Sequence, residues 1–268
     1  MIRIGSILVG LFFTLVLAMS FVTGAVTTAQ EGLPTTVEKQ FHKLPKELHL
    51  SSDGLFGRFD RQQLQRGFQV YQEVCAACHS LHYVSYRDLA ALGYNEAEVK
   101  AIAAAATINA PDPLTGELAD RPGLPSDRFP KVIYAGKGAP PDLSLITKAR
   151  HEGPAYVYSL LTGYENVPAS LPKENRPGDG LHYNPYFANL NLAMAAPLTG
   201  EGQVTYADGT KATVSQMAQD VAAFLVWTAE PKLDKRRQTG WVVLGFLLFA
   251  TVLAYMAYRN VWADKKGH

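Results

Sequence analysis

Two cysteines and a histidine in close spacing offer the clearest chemistry in this sequence. Cys75, Cys78 and His79 form the pattern C-x-x-C-H, and these are the only two cysteines among the 268 residues. Thiols three residues apart on one helical turn can form thioethers with the two vinyl groups of a haem, and the adjacent imidazole can ligate the iron. The pattern therefore predicts one covalently bound c-type haem, attached through Cys75 and Cys78, with His79 as an axial ligand.

Other interpretations of the cysteine pair are a zinc half-site, a redox dithiol and a chance occurrence. A zinc site needs a second cysteine pair or a spaced histidine pair, and the sequence contains neither. A redox dithiol of the C-x-x-C type is expected beside a βαβ pattern, and none follows here. The haem interpretation is therefore favoured.

A second axial ligand must come from the remaining methionines and histidines. Met194 is the favoured candidate, because it lies 115 residues after His79 in a loop-like segment that ends at Pro197. Thioether ligation raises the reduction potential and suits a high-potential carrier. His151 and His182 stay open as alternatives, although histidines among loop residues are more commonly exposed.

The other candidates are less suitable ligands. Met217 falls on the apolar stripe of a predicted helix, where core packing is favoured. His82 lies only three residues from His79 and cannot easily reach the opposite face of the haem. His79 itself is expected to point its second ring nitrogen at a carbonyl, which would fix the tautomer. The remaining methionines are terminal or lie in apolar segments: Met1, Met19 and Met256.

An amphipathic helix is predicted to carry the cysteines. Leu64, Phe68, Tyr71 and Cys75 recur at i, i+4, i+7 and i+11, and Asp60 is the expected N-cap. Further helices are predicted over 94–107, with Asn95 as cap, over 153–162, and over 213–228. The fold class is therefore mainly α.

Proline-rich stretches separate these helices. Five prolines between Ile108 and Pro130 predict a surface loop without regular structure, and 167–185 is also predicted to be a loop. Alternating residues with an Asp-Gly turn predict a small hairpin over 204–211. The helical domain is thus expected to have long loops.

An uncharged apolar segment lies near the C-terminus. Trp241–Tyr258 is eighteen residues long and, at about 27 Å as a helix, approaches the thickness of the hydrocarbon core. Aromatic residues lie at its ends, as interfacial anchors do. We therefore predict a membrane anchor with a short tail over 237–268.

A second apolar segment lies at the N-terminus. No charge occurs between Arg3 and Glu31, and Ile7–Val26 is apolar or small throughout. Residues 1–29 are therefore a signal peptide or an uncleaved anchor, and the long apolar run favours a retained helix. The globular domain is then expected over 30–236.

The globular part carries an excess of negative charge. Between Glu31 and Glu230 there are 22 acidic and 17 basic residues, a balance of −5. Such a domain favours a basic electron-transfer partner through electrostatic steering. The alternative, a solvated acidic surface with no docking role, stays open, because the charge is spread over about 200 residues. No stripe of basic and aromatic residues occurs in it, so nucleic-acid binding is not predicted.

With these residues in place, the chain resembles the cytochrome c1 family, from about residue 54 to residue 262. The resemblance rests on several motifs in the right order, together with the Met194 loop: RGFQVYQEVCAACHSL (66–81), PPDLSLITKAR (140–150), YVYSLLTGY (156–164), LHYNPYF (181–187) and YADGTKATVSQMAQDVAAFLVWTAEPKLDKR (206–236). It implies haem attachment at Cys75 and Cys78 and axial ligation by His79 and Met194. It also implies that Pro140 and Pro141 pack beside the haem.

Two departures from the family pattern concern the haem pocket. The family often has an arginine that contacts a haem propionate in a longer segment before Pro140, and here that segment is shortened to residues 135–139. Lys137 is the nearest cation, but it lacks the bidentate fork of an arginine. Met194 is followed by Ala-Ala-Pro where the family usually has a proline pair. Some bacterial members of the family stabilise this loop with a disulfide, which this chain cannot form because both of its cysteines belong to the C-x-x-C-H motif.

The resemblance also implies a function and partners. It implies an electron-transfer subunit of a quinol-oxidising respiratory complex (ubiquinol–cytochrome c reductase), which passes single electrons from a Rieske iron–sulfur protein through the haem to a cytochrome c. Cytochrome b would be a further partner, and the complex is expected to be dimeric. Because c-type haem is attached outside the bacterial cytoplasm, the haem domain is expected on the periplasmic side of the inner membrane. No catalytic acid or base is expected.

Two other classes of protein are weighed against this function. A free-standing membrane-tethered cytochrome c or an oxidase subunit would need neither the long loops nor the match over 206–236. A gas-binding or sensory haem protein would need an open sixth position, which carbon monoxide binding to the reduced protein would reveal.

Overall fold

Helices dominate the computed structural model, which describes residues 2–32, 36–111, 115–136, 138–263 and 265. The predicted fold class, mainly α with a hydrophobic helix at each end, is confirmed. The α-helices are α1 (Ile2–Glu31), α2 (Val37–Phe41), α3 (Arg61–Val70), α4 (Glu96–Ala104), α5 (Ile146–Ala149), α6 (Gly153–Leu161), α7 (Val214–Ala229) and α8 (Leu233–Trp262). The strands are β1 (Thr107–Pro111), β2 (Leu118–Pro122), β3 (His182–Tyr183) and β4 (Asn191–Leu192); a π-helical turn spans Tyr71–Cys75, and 3₁₀ turns span Tyr86–Leu92 and Lys173–Asn175.

The core is built on the packing of α3 against α7. The two backbones approach closely at Gly67, where a β-carbon would lie 2.0 Å from the carbonyl oxygen of Asp220. Phe68 and Phe224 fill the adjoining space, with ring centroids 5.6 Å apart, and both are buried. Any larger residue at position 67 would therefore push the two helices apart.

The predicted helix leading to the cysteines is present, with one local difference. The Asp60 carboxylate accepts hydrogen bonds from the backbone N–H groups of Gln62 and Gln63, so the predicted N-cap is confirmed. The last turn is π-helical, because the Ala76 N–H bonds to the carbonyl of Tyr71, five residues earlier. Such wide turns are frequent at functional sites.

The other predicted helices are also confirmed. Asn95 and Glu98 form a capping box at the start of α4, but this helix ends at Ala104, three residues before its predicted limit, and Thr107 already belongs to β1. Helix α6 begins and ends within one residue of its predicted limits. The side chain of Met217 on α7 is fully buried in the core, as its position on the apolar stripe predicts. Periodicity and capping residues thus predict these elements from local sequence alone.

The prediction of an irregular loop over 108–130 is wrong. Strands β1 and β2 pair antiparallel, with Thr107 opposite Pro122 and Pro111 opposite Leu118. Pro111 and Pro122 each occupy the last position of a strand. A two-stranded hairpin consists of edge strands only, so a missing N–H at a strand end costs little. The second predicted loop, 167–185, contains the 3₁₀ turn Lys173–Asn175 and strand β3, which pairs with β4 directly before the Met194 segment.

The prediction of a hairpin over 204–211 is also wrong. This segment contains the expected turn at Asp208 and Gly209, but it forms no strand. Val204 and Tyr206 are both buried in the main core, and the carbonyl of Thr205 accepts a hydrogen bond from the Gln69 side chain on α3. The segment packs against α3 and does not fold into a hairpin, because the burial of two large side chains outweighs the few backbone hydrogen bonds that a hairpin over 204–211 would form.

The two terminal helices, α1 and α8, are long and apolar enough to cross a membrane. The spans are Arg3–Gln30, with 28 residues, and Leu233–Trp262, with 30 residues, and their apolar stretches are not buried against the rest of the chain. A solvent-exposed apolar helix of this length would be unfavourable in water. The predicted C-terminal anchor therefore has a continuous helix to support it.

Candidate functional site

The cysteine and histidine side chains of the C-x-x-C-H motif project from a turn that ends the α3 helical run. The N–H groups of Cys78 and His79 both donate to the carbonyl of Cys75, at 3.1 and 2.9 Å. Cys75 is partly buried, and Cys78 is exposed. One turn of backbone therefore presents two thiols and an imidazole together, the donor set that covalent haem attachment requires.

The chemistry of Cys75 favours a thiol over a thiolate. Burial, and secondly the neighbouring Cys78, raise the pKa of the Cys75 thiol to about 12. A redox-active dithiol has a lowered cysteine pKa, since the thiolate is the nucleophile. The environment of Cys75 is therefore the opposite of that in a reactive dithiol.

The ring of His79 is held in one orientation. Its Nδ1 lies 2.8 Å from the carbonyl oxygen of Pro141, and the backbone carbonyl of His79 accepts a hydrogen bond from the Tyr71 hydroxyl at 2.9 Å. A carbonyl can only accept, so Nδ1 carries the proton and Nε2 keeps a free lone pair. The predicted bond to a carbonyl is confirmed, and it leaves His79 ready to bind a metal through Nε2.

The segment after Pro141 is fastened to the residues that follow His79. The Asp142 carboxylate accepts hydrogen bonds from the N–H groups of His82 and Ser144, both at 2.8 Å. The Leu143 N–H donates to the carbonyl of Ser80 at 2.9 Å. These bonds set the position of the Pro141 carbonyl, and through it the orientation of the His79 ring.

Met194 lies in a partly buried position on the loop after β4. The Tyr164 hydroxyl donates to the Met194 carbonyl at 2.9 Å, and Gln203 donates to the carbonyl of Pro197 at 2.9 Å. Burial raises the pKa of the Tyr164 phenol, which therefore stays protonated as a donor. Two side chains thus fix the backbone of the methionine loop on either side of Ala195 and Ala196.

The paired-proline segment connects the histidine with the methionine loop. Pro141 accepts the hydrogen bond from His79, and a β-carbon at Gly138 would lie 3.9 Å from the Cβ of Ala193, the residue before Met194. Pro140, between these two contacts, is partly buried. Residues 138–141 therefore bond to His79 on one side and lie close to the methionine loop on the other. Lys137, the cation nearest to the position of the family's arginine in the sequence, lies outside the described residues.

The alternative iron ligands are placed less favourably. The side chain of His151 is 95% exposed and lies 3.5 Å from the Glu152 carboxylate, and His182 is exposed on β3. Met217 is buried in the core between α7 and its neighbours. Met194 is therefore the candidate whose surroundings link it to the His79 segment.

Three residues that support the site were not singled out for it by sequence reasoning: Tyr71, Asp142 and Tyr164. Tyr71 was predicted only as an apolar position of its helix, and its hydroxyl role was missed. Asp142 and Tyr164 lie in the motifs that resemble the cytochrome c1 family, but their partners are distant in sequence. Only the motif matches gave any signal for them.

Comparison with known proteins identifies a family. A family model described as the Cytochrome C1 family matches residues 50–265. The chain is 45% identical over 226 residues to the mitochondrial heme protein cytochrome c1 1 of Arabidopsis thaliana, covering 80% of this chain and 71% of that protein. It is 43% identical over 233 residues to cytochrome c1 of Rhodospirillum rubrum, covering 80% and 85%. It is 38% identical over 259 residues to the mitochondrial cytochrome b-c1 complex catalytic subunit of Candida albicans, covering 92% and 84%.

Proposed function

Because the chain belongs to the cytochrome c1 family, we propose that it is the membrane-anchored electron-transfer haem subunit of a cytochrome bc1-type respiratory complex. In this role it accepts single electrons from a Rieske iron–sulfur protein and passes them to a cytochrome c. The subunit belongs to an oxidoreductase, ubiquinol–cytochrome c reductase, but makes and breaks no substrate bond of its own. The observation that carries the proposal is the His79 Nδ1 bond to Pro141 directly after the cysteine pair.

Four residues are proposed to hold the haem. Cys75 and Cys78 supply the thioether sulfurs, and their spacing and common turn fit that purpose. His79 would ligate the iron through Nε2, and Met194 would ligate it through its thioether sulfur. When bound, the haem supplies a one-electron iron couple at a potential that the axial ligands set.

The other residues of the site are proposed to orient and shield these ligands. The Pro141 carbonyl accepts a hydrogen bond from Nδ1 of His79, which selects the tautomer whose Nε2 lone pair is free for the iron. Tyr164 holds the backbone of Met194 through its carbonyl. Pro140 is proposed to line the haem pocket, and Lys137 to take the place of the propionate-binding arginine of the family as a single cation. None of these groups transfers a proton, which is consistent with a relay function.

The topology proposed for the chain has the haem domain, residues 30–236, on the periplasmic side of a bacterial inner membrane. Two apolar helices at its ends support membrane anchoring, through 1–29 and 237–268. Cytochrome b is proposed as a partner within a dimeric complex, in line with the bc1 complex named for the Candida relative. The acidic domain would favour a basic cytochrome c as acceptor.

Affinity purification of the full chain from bacterial membranes tests this function. We expect a haem that stays attached to the polypeptide in denaturing gels, together with a b-type haem subunit and an iron–sulfur protein in the same preparation. Cys75→Ala and Cys78→Ala should each weaken or abolish covalent attachment. Purification of the chain as a haem protein alone, from membranes with intact quinol oxidation, would contradict the proposed complex.

A further inference from the structure

Two apolar side chains lie exposed at the tip of a loop beside helix α8. Leu55 is 71% exposed and Phe56 is 78% exposed, in the loop of residues 51–58. The loop is closed at its base by the Arg58 N–H, which donates to the carbonyl of Ser51 at 2.9 Å. The chain reverses at Gly54, where φ is +71°. The fold therefore holds this apolar tip out from the domain instead of burying it.

The loop is tied to α8 at three points. The Asp234 carboxylate accepts a hydrogen bond from the Phe59 N–H at 3.3 Å. Arg237 donates from Nη1 to the carbonyls of Ser52 and Gly57, at 2.8 and 2.7 Å. At the third point, the ring of Phe56 stacks on Trp241, with centroids 5.2 Å apart and an angle of 8° between the ring planes.

The three tie points determine the direction in which the loop extends. Asp234, Arg237 and Trp241 are spaced i, i+3 and i+7, so they lie on one face of α8. The separation of seven positions between Asp234 and Trp241 corresponds to about 10 Å along the helix axis. The loop therefore runs along the helix toward the uncharged segment 241–258, and Phe56 reaches the level of its first residue.

If α8 crosses a bilayer, this placement determines the depth at which the loop tip lies relative to the membrane. If residues 241–258 occupy the hydrocarbon core, Phe56 and Trp241 lie in the interfacial layer, where aromatic rings are enriched. Insertion of exposed Leu55 and Phe56 among lipid chains removes apolar surface from water. Exposed cations near the same helix end favour anionic headgroups at that depth: Arg58, Lys232 and Lys235.

We propose that the tip of the 51–58 loop, Leu55 and Phe56, inserts into the lipid bilayer beside α8. The domain would then contact the membrane at a second point, which fixes its rotation about the anchor helix. The occupant of this surface is phospholipid. The proposal rests on the membrane anchoring through α8 that the proposed function includes, and on no other part of that function.

Photo-crosslinking of the full haem-loaded chain in phospholipid vesicles tests the proposal. The photoreactive residue p-benzoylphenylalanine is placed at position 55, in vesicles of phosphatidylcholine and phosphatidylglycerol. The matched control has it at Leu118 on β2, which is 69% exposed, almost the same fraction as Leu55. A third variant has it at Leu247 in α8, within the span itself. Mass spectrometry then measures the yield of protein carrying one phospholipid.

We expect a lipid adduct at position 55 in several-fold higher yield than at position 118. Equal yields at 55 and 118, with a high yield at 247, would overturn the loop insertion while leaving the anchor intact. A low yield at 247 would contradict the membrane anchoring of α8, and with it the loop insertion. An adduct to another polypeptide at position 55 in native membranes would overturn lipid as the occupant.

Discussion

His79 and Pro141 are joined by a hydrogen bond of 2.8 Å between Nδ1 and a backbone carbonyl 62 residues away along the chain. The bond determines both the tautomer and the direction of the imidazole, since the carbonyl can only accept. The proline fixes its own φ, so the accepting group is itself restricted. A ligand that is oriented before the metal binds needs little reorganisation afterwards.

Substitution of Met194 tests the second axial ligand. Met194→Leu should keep the covalently bound haem but lower its reduction potential by about 100 mV or more, because the thioether favours ferrous iron. Redox titration of the purified protein measures the change. Met217→Leu is the matched control and should leave the potential unchanged, since Met217 is buried in the core. An unchanged potential in Met194→Leu would place the ligand elsewhere: at Met217 if Met217→Leu lowers the potential, and otherwise with His182 next to test.

Tyr164 is expected to position the methionine loop through its hydroxyl. Tyr164→Phe removes the 2.9 Å hydrogen bond to the Met194 carbonyl. A hydrogen bond of this kind stabilises the observed conformation of the methionine loop by about 1 kcal/mol. The iron–thioether bond should then open more often, so that reduced protein binds carbon monoxide faster. Tyr158→Phe, which removes a hydroxyl bonded to Ser215, serves as control. Equal carbon monoxide binding rates in both variants would leave Tyr164 with a merely structural role.

Local sequence rules account for the helices and for the donor set of the site. Asp60 and Asn95 were predicted as caps from their side-chain chemistry, and both accept the expected backbone hydrogen bonds. The C-x-x-C-H pattern likewise predicts its own chemistry, because its three side chains lie within one turn. These predictions succeed because each depends on atoms only a few residues apart.

Contacts between distant segments explain what sequence could not predict. A carbonyl partner was expected for His79, but its identity as Pro141 depends on how residues 138–144 fold back onto 80–83. The prolines of β1 and β2 favour a loop in the sequence pattern, because a proline, which has no N–H to donate, is tolerated equally in a loop and at the end of an edge strand. The 204–211 segment has a hairpin pattern, yet α3 offers Val204 and Tyr206 more burial than a hairpin would.

Salt should slow electron transfer to a basic cytochrome c. The balance of −5 between Glu31 and Glu230 raises the encounter rate at low ionic strength, and screening removes this advantage. Stopped-flow oxidation of the reduced protein should therefore slow several-fold between low and physiological salt. A small uncharged oxidant serves as control and should show no such dependence. A rate that salt leaves unchanged would remove the docking role of the acidic surface.

Arg66 should stabilise the packing of α3 on α7. Its guanidinium donates to the buried Asp220 carboxylate, with Nε at 2.9 Å and Nη2 at 3.2 Å. Arg66→Gln leaves that carboxylate buried without its cation and should cost about 3 kcal/mol in the free energy of unfolding. Arg61→Gln, at an exposed position of the same helix, should change it by less than about 0.5 kcal/mol. Denaturant unfolding in detergent measures both, and equal losses would contradict the role of Arg66.

Asp208 should make the stability of the domain depend on pH in the acidic range. The backbone N–H of Thr210, and secondly Arg66, lower the pKa of Asp208 from 3.8 to about 2. A lowered pKa in the folded state means that the stabilisation is complete above pH 4 and is lost as pH falls toward 2. The difference in free energy of unfolding between the parent and Asp208→Asn should therefore be constant above pH 4 and shrink below it.

Denaturant unfolding at several pH values between 2 and 7, followed by tryptophan fluorescence, measures this difference for Asp208→Asn. The same substitution in an Arg66→Gln background is the control, and its effect should be smaller, because the 2.7 Å ion pair between Arg66 and Asp208 is already absent there. A difference that stays constant down to pH 2 would show that neither Thr210 nor Arg66 stabilises the charged form of Asp208. The 204–211 segment would then be held to α3 by its buried side chains and by the hydrogen bond from Gln69 to the Thr205 carbonyl.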